Sequence, residues 1–102
     1  MAIPQFTTPT VTIAIPEESG IDLTQATKLV LTFEAGDRKV EKTGEDLTIT
    51  AHTVGAELTQ QESSQLRVGP CFVTANFLIA GKRGSTEPVE VEITRNAHNE
   101  VM

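Results

Sequence analysis

Residues 71–94 of the chain are CFVTANFLIAGKRGSTEPVEVEIT. This segment contains two runs in which every second residue is apolar. Because successive side chains of a β-strand point to opposite faces, this pattern predicts two strands that each bury one face. The predicted inward residues are Cys71, Val73, Ala75, Phe77 and Ile79 on the first strand, and Val89, Val91 and Ile93 on the second.

A short loop, AGKRGST, joins these two strands at residues 80–86. Gly81 and Gly84 are expected to give the backbone freedom for the bend, and Lys82 and Arg83 to keep its tip in water. A phosphate-binding P-loop has four residues between its first glycine and the Gly-Lys-Ser/Thr, and it leads into a helix. Here two residues separate the glycines and a strand follows, so we interpret the segment as a turn.

The same alternation recurs through most of the chain. KLVLTFEAGDRKVEK, residues 28–42, predicts a hairpin that turns at Ala35-Gly36-Asp37. Further strands are predicted in PTVTIAIP, DLTIT and TVGAELT, with Leu47 and Ile49 facing inward. About seven short strands at intervals of roughly ten residues predict an all-β fold, an antiparallel immunoglobulin-like β-sandwich. The likeness is architectural, because the sequence has one Cys and no Trp and so lacks the Cys–Trp–Cys core.

One short helical turn is predicted in TQQESSQLRVG, residues 59–69. Thr59 and Glu62 have the spacing of a capping box, in which each side chain accepts a hydrogen bond from the other residue's backbone amide. Leu58, Leu66 and Val68 are expected to anchor this turn, and Asp22 can cap a further single turn near residue 23. The sandwich is assigned to residues 9–95, between an extended N-terminal arm (1–8) and a flexible tail (96–102).

The composition excludes several classes of partner and site. The chain has 102 residues, a formal net charge of −6, four Phe and no Trp or Tyr. An acidic surface repels phosphate groups, so we expect neither nucleic acid nor a membrane surface as a partner. The single Cys71 allows no internal disulfide, and the first residues, MAIPQFTTPT, lack the pattern of a secretory signal.

No group of residues has the spacing of a metal or catalytic site. His52 and His98 stand apart, and the acids of PEESGID, residues 16–22, fit no calcium loop. Cys71 is predicted to be an apolar filler in a strand, with no His or helix N-terminus near it to lower its pKa. We therefore expect no catalytic residues, no metal ligands and no cofactor.

One set of apolar residues lies off the predicted core. Phe72 and Leu78 are on the face of their strand opposite to the inward one, and Val30 is likewise off the inward face of its own strand. Ile3 and Phe6 lie in an arm that has no predicted partner strand. Grouped exposed apolar residues mark protein–protein contacts, so these five residues are the candidate partner interface.

The order of the segments resembles that of small β-sandwich proteins encoded among the virion genes of tailed phages and prophages of Gram-positive bacteria. The likeness covers nearly the whole chain: TPTVTIAIPEESGIDLTQATKLVLTFEAGDRKVEKTGEDLTI, then LTQQESSQLRVGP, the long strand with the GKRGST turn, and VEVEITRNAHNEVM. It is similar in organisation to the N-terminal sandwich domains of phage baseplate proteins. These motifs shape the fold and carry no site residue.

The resemblance implies a non-enzymatic structural or assembly role in the tail, the baseplate or the head. The partners would then be other virion proteins and second copies of this chain, met in the bacterial host cytoplasm and then in the virion. The alternative interpretation is a ligand-binding module, such as a carbohydrate-recognition or adhesin domain, against which the lack of Trp and Tyr counts. A small enzyme is the third interpretation, and it would need His52, Cys71 and an acid within hydrogen-bond reach of one another.

Overall fold

A computed structural model describes all residues, 1–102, and half of them lie in strands. The nine strands are β1 (Ala2–Pro4), β2 (Thr10–Ala14), β3 (Lys28–Ala35), β4 (Arg38–Thr43), β5 (Leu47–Ile49), β6 (Thr53–Glu57), β7 (Gly69–Ile79), β8 (Lys82–Ser85) and β9 (Val89–Thr94). One α-helix, α1, spans Gln60–Gln65. Single 3-10 turns lie at Glu17–Ser19, Leu23–Gln25 and Gly44–Asp46. The chain is therefore mostly β, as the alternation predicted.

The strands form two sheets. The larger has the order β1-β9-β7-β3-β4, and β8 pairs with the end of β7 that β9 leaves free. The smaller has the order β2-β6-β5. All pairings are antiparallel except that of β1 with β9, which is parallel, so the prediction of a purely antiparallel fold is wrong at this edge.

Strand β7 is the centre of the larger sheet. It pairs with β3 along one side, from Lys28↔Leu78 to Glu34↔Phe72, and with β9 and β8 along the other. Of its five predicted inward residues, Cys71, Val73, Ala75 and Phe77 are buried, and Ile79 is partly buried against the core. Every second side chain of β7 thus packs into the core.

Residues of both sheets share one apolar core of 19 buried residues. The larger sheet contributes Leu31 and Phe33, and the smaller contributes Val11 and Val54. At about 25 cal/mol per Å2 of apolar surface removed from water, this burial is the main favourable term in folding. Leu23, in the capped 3-10 turn, completes the core beside β7.

The loop after β7 turns earlier than its glycines suggest. Ile79 pairs with Lys82, so only Ala80 and Gly81 form the turn, and both have positive φ (53° and 78°), as a type I′ hairpin requires. Lys82 and Arg83 lie in β8 and not at a loop tip. Gly84 serves packing, because the ring of Phe77 occupies the space that a Cβ there would need.

The N-terminal arm is part of the fold, which corrects the sequence prediction. Residues Ala2–Pro4 pair with β9 in the register Ile3↔Ile93. The backbone N–H of Gln5 donates a hydrogen bond to the carbonyl of Thr94 at 2.9 Å. Ile3 is fully buried in the core. This pairing could not be predicted, because three residues are too few to show a period.

The capping box at the start of α1 is confirmed. The Thr59 hydroxyl accepts from the Glu62 amide, and Glu62 Oε1 accepts from the Thr59 amide at 2.9 Å. The same Oε1 lies 2.7 Å from Nζ of Lys42, whose side chain is only 8% exposed. Partial burial raises the pKa of Glu62, but the hydrogen bonds from Lys42 and Thr59 outweigh it and hold this pKa below its usual value. One carboxylate thus fixes the helix to β4.

Two predicted inward residues, Ile49 and Val89, and the predicted anchor Val68 are exposed instead, each at or next to the end of an element. Ile49 is the last residue of β5, an edge strand with a neighbour on one side only. Val89 is the first residue of β9, and Val68 precedes β7. Leu58 and Leu66, by contrast, are fully buried and anchor α1 as predicted.

Replacing Ile3 by Ala tests the parallel pairing of β1. Because the side chain is fully buried, Ile3→Ala should lower the free energy of unfolding by about 2–4 kcal/mol in urea denaturation. Ile49→Ala is the matched control: the residue is 37% exposed and the same truncation should cost about 1 kcal/mol or less. Equal losses at the two sites would show that β1 is not anchored in the core.

Replacing Glu62 by Gln isolates the charge of the pair with Lys42, because Gln can still complete a capping box. We expect Glu62→Gln to lower the free energy of unfolding by about 1–3 kcal/mol at pH 7, since Lys42 loses its countercharge. The exposed Glu57, which forms no ion pair, provides the control Glu57→Gln.

This contribution of Glu62 has a defined pH dependence. A carboxyl group whose pKa is lowered on folding stabilises the protein above its unfolded pKa, here near 4.5, and that stability is lost as the pH falls through the folded pKa. The wild type and Glu62→Gln should therefore converge in stability in acid. A gap that stays constant down to pH 2 would contradict the ion pair.

Candidate docking face

The face of the larger sheet that points away from the core carries the candidate site. Along β3 and β7 the buried residues alternate with partly exposed ones, so that Val30, Thr32, Asn76 and Leu78 share the outer face. Strand pairing sets Val30 beside Asn76 and Lys28 beside Leu78. We call this surface the outer face.

A groove of about 330 Å3 runs across the outer face. Its hydrophobic residues are Val30, Leu78 and the largely buried Phe77, and Val30 and Leu78 occupy diagonal positions on the neighbouring strands β3 and β7. The full lining comprises Lys28, Val30, Thr32, Glu41, Asn76, Phe77, Leu78 and Arg83. The groove therefore combines a small apolar centre with charged and amide groups.

The charges of the groove are separated along its length. Leu78 lies between Lys28 on β3 and Arg83 on β8, which makes one end cationic. At the other end, Oε2 of Glu41 accepts a hydrogen bond from the Thr32 hydroxyl at 3.3 Å. Nη2 of Arg83 donates to Oδ1 of Asn76 at 3.3 Å, which holds the guanidinium over the sheet. A partner with an apolar contact and an acidic group would fit the cationic end.

The structure brings together two of the five predicted interface residues. Val30 and Leu78 line the groove, whereas Phe72 lies at the opposite end of β7, six residues from Leu78 or about 20 Å. Phe72 is 42% exposed and stands between Glu34 and Glu90 of the neighbouring strands. It is therefore a separate exposed apolar residue.

The other two predicted residues lie elsewhere. Ile3 is buried in the core and is not available to a partner, so its assignment to the interface is wrong. Phe6 is half-buried in the turn after β1, with φ = 64°, a left-handed conformation that costs about 1–2 kcal/mol for a residue with a side chain. Hydrogen bonds from Gln5 to Leu66 and from Ser63 to Thr7 hold this turn against the segment of α1.

Sequence reasoning missed the polar half of the groove. Alternation tells which face Lys28, Glu41 and Arg83 take but not which strands are neighbours, so it offers no reason to group them. Glu41 reaches the groove only because β4 pairs with β3, and Arg83 only because β8 pairs with β7. The predicted hairpin over residues 28–42 already implied the first of these pairings, that of β4 with β3.

A second depression, of about 350 Å3, lies beside the groove at the β7–β8 hairpin. It is lined by Gly20, Ile21, Asp22, Gln25, Phe77, Ile79, Lys82, Arg83 and Gly84. Hydrogen bonds from the hydroxyl and the amide of Thr24 lower the pKa of Asp22, which keeps this capping carboxylate ionised. Phe77 and Arg83 line both depressions, so the two form adjacent parts of one surface.

The residues with potential catalytic or ligating groups lie apart from these depressions. His52 is half-buried, His98 is exposed, and neither lines the groove or the second depression. No three His, Cys, Asp or Glu side chains come together in a group that could hold a metal ion. None of the helices has the length and apolar character that a bilayer crossing requires.

Cys71 occupies the inward face of β7, as predicted, and is fully buried. Burial raises the pKa of its thiol to about 11, because the thiolate would lose its hydration there. The thiol is thus protonated at neutral pH and acts as an apolar filler.

Comparison of the chain with models of protein families, with curated proteins and with solved structures finds no match in any of the three.

The placement of Cys71 predicts its reactivity. At neutral pH a thiol reagent such as Ellman's reagent should modify Cys71 of the native protein only at the rate at which the protein unfolds and exposes it. The reason is that the thiolate is the reacting species, and the folded protein both covers the side chain and keeps the thiol protonated. The same protein in concentrated urea, as the control, should react completely within the mixing time. Immediate full modification of the folded chain would contradict the buried position.

Proposed function

We propose that this protein is a non-catalytic structural or assembly component of a phage or prophage virion, in the tail, the baseplate or the head. It acts by docking on another virion protein, in the bacterial host cytoplasm during assembly and afterwards in the particle. The observation that carries the proposal is the outer-face groove, where Val30 and Leu78 form an apolar centre between charged ends. The order of the segments adds support, through its resemblance to small virion β-sandwich proteins.

The docking proposal rests on the shape and charge of the groove. Its apolar centre is small, so the contact depends on burying Val30 and Leu78 and on pairing the cationic residues Lys28 and Arg83 with an acidic segment. A partner segment that carries an apolar side chain beside an Asp or Glu satisfies both needs. The net charge of −6 makes this cationic end a local exception on the surface, which favours one orientation of the partner.

We further propose that the two sheets form an immunoglobulin-like sandwich. Support comes from the short strands, from the core that both sheets share, and from the antiparallel pairing of all strands except β1. Such sandwiches serve widely as rigid interaction modules, which suits a part built into a larger assembly.

The absence of an enzymatic role is part of the same proposal. Its support is the placement of the chemical groups: the thiol of Cys71 is protonated in the core, and neither it nor His52 lines the groove. Glu41 is the only carboxylate in the groove lining, so no pair of carboxylates lies across it to act as acid and base.

A ligand-binding module is the second candidate, and the polar half of the groove favours it. Thr32, Asn76 and Arg83 offer hydroxyl, amide and guanidinium groups on one sheet face, which suits the hydroxyl groups of a carbohydrate. Against it stands the lack of any Trp or Tyr on which a sugar ring could stack. Protein–protein docking therefore remains the stronger proposal.

The virion proposal is tested by locating the chain in particles. Phage particles induced from the encoding bacterium should contain the chain at a fixed ratio to the major capsid protein after density-gradient purification, as measured by quantitative mass spectrometry. A variant with Leu78→Glu should fold but be depleted from particles by at least about tenfold, because a carboxylate would enter the apolar centre.

The control variant for this experiment is Thr48→Glu, which places the same charge on an exposed residue of β5, away from the groove. It should enter particles at the wild-type ratio. Particles that lack the wild-type chain would refute the virion role. Full incorporation of Leu78→Glu would refute docking through the groove, and glycan-array binding that Leu78→Glu abolishes would favour the ligand-binding alternative.

A further inference from the structure

Strand β2 has one edge with unpaired backbone groups. It pairs only with β6, in the register Thr12↔Gly55. The Leu58 amide donates to the Pro9 carbonyl at 2.9 Å and the Ile15 amide to the His52 carbonyl at 2.8 Å. Since hydrogen-bonded and non-hydrogen-bonded pairs alternate in an antiparallel ladder, Val11 and Ile13 direct their backbone groups to β6. The N–H and C=O groups of Thr10, Thr12 and Ala14 therefore point away from it.

The other sheet edges are short or charged. In the larger sheet, β4 carries Arg38, Lys39, Glu41 and Lys42, and β8 carries Lys82 and Arg83. Strands β1 and β5 have three residues each. Charges and short length are the usual means by which proteins prevent edge-to-edge pairing. β2 has five residues, none of them charged, and Thr10, Thr12 and Ala14 are all exposed.

We propose that the free edge of β2 pairs with the β2 edge of a second copy of this chain, antiparallel, about a twofold axis at Thr12. In this register Thr12 faces Thr12 of the second copy, and Thr10 faces Ala14 of the second copy at each end. Each of these three pairs exchanges two backbone hydrogen bonds, so about six form across the axis. The two three-stranded sheets become one continuous six-stranded sheet.

The ends of β2 are compatible with this register. Pro9 falls opposite Ile15 of the second copy, and both direct their hydrogen-bonding groups into their own sheets, so the missing N–H of Pro9 costs nothing. Pro16 ends the pairing. Beyond it, the acidic residues Glu17 and Glu18 lie toward Thr7 and Phe6 of the second copy, which are uncharged, so no like charges meet directly.

A second copy fits this edge because the edge is self-complementary in its backbone hydrogen bonds and brings no like charges together. A twofold axis brings each unpaired donor of Thr10, Thr12 and Ala14 to an acceptor of the same set, with none left over. Five residues make a small contact, so the dimer forms and dissociates with concentration. This inference does not rest on the virion role or on the outer-face groove, and its failure would leave both standing.

The test is a charge swap at the axis, read by light scattering over a concentration series. The wild type should rise toward twice the 11.0 kDa of one chain as the concentration increases. Thr12→Lys alone, and Thr12→Glu alone, should each weaken self-association by at least about tenfold, because like charges meet at the axis. An equimolar mixture of the two variants should recover dimers with one chain of each kind. Thr12 lies opposite Gly55 within its own sheet and diagonal to Glu57, which attracts Lys and repels Glu at position 12, so the thermal melt of each monomer is measured beside its self-association.

The matched control is Ala14→Lys, which adds a charge to the same edge but faces Thr10 of the second copy, so it should dimerise like the wild type. Circular dichroism and thermal melts confirm that each variant is folded. A wild type that stays at 11.0 kDa throughout would overturn the proposal and leave the edge to a strand of another protein. Dimers that persist in folded Thr12→Lys, or a variant mixture that does not associate, would overturn it equally.

Discussion

The larger sheet and the core are organised around the pairing of β3 with β7. In this pairing Leu29, Leu31 and Phe33 lie beside Phe77, Ala75 and Val73, so that one continuous apolar surface faces the smaller sheet. A shift of one residue would turn all of these side chains to water, which makes the register strongly specified. β7 then offers its other side to β9 and β8, and through β9 the parallel strand β1 joins the sheet.

The same register determines what the outer face presents. Once Leu31 and Ala75 face the core, Val30 and Leu78 must face outward, and the pairing places them diagonally across two strands beside Lys28 and Arg83. The proposed docking groove is thus a consequence of the core and not a separate construction. The smaller sheet covers the inner side and leaves the edge of β2 open, which is where a second copy is proposed to pair.

Most of the strands could be predicted from the sequence, because each shows enough alternation to reveal one buried face. The capping roles of Asp22 and Thr59 could also be predicted, since a cap needs only residues close in sequence. The failures are of two kinds. Ile3 lies in a strand too short to show a period, and Ile49 has the right pattern but ends an edge strand. Of the groove, only the apolar residues Val30 and Leu78 were predicted, because the charged residues come together only through pairings between strands.

Native-state hydrogen exchange measures how strongly the β3–β7 pairing resists opening. If this pairing holds the fold together, the amides that bond β3 to β7 exchange only through global unfolding, at the free energy measured by urea denaturation. The amides of β5, at the edge of the smaller sheet, then exchange by local opening at lower free energy. Amides between β3 and β7 that exchange as fast as those of β5 would contradict the account.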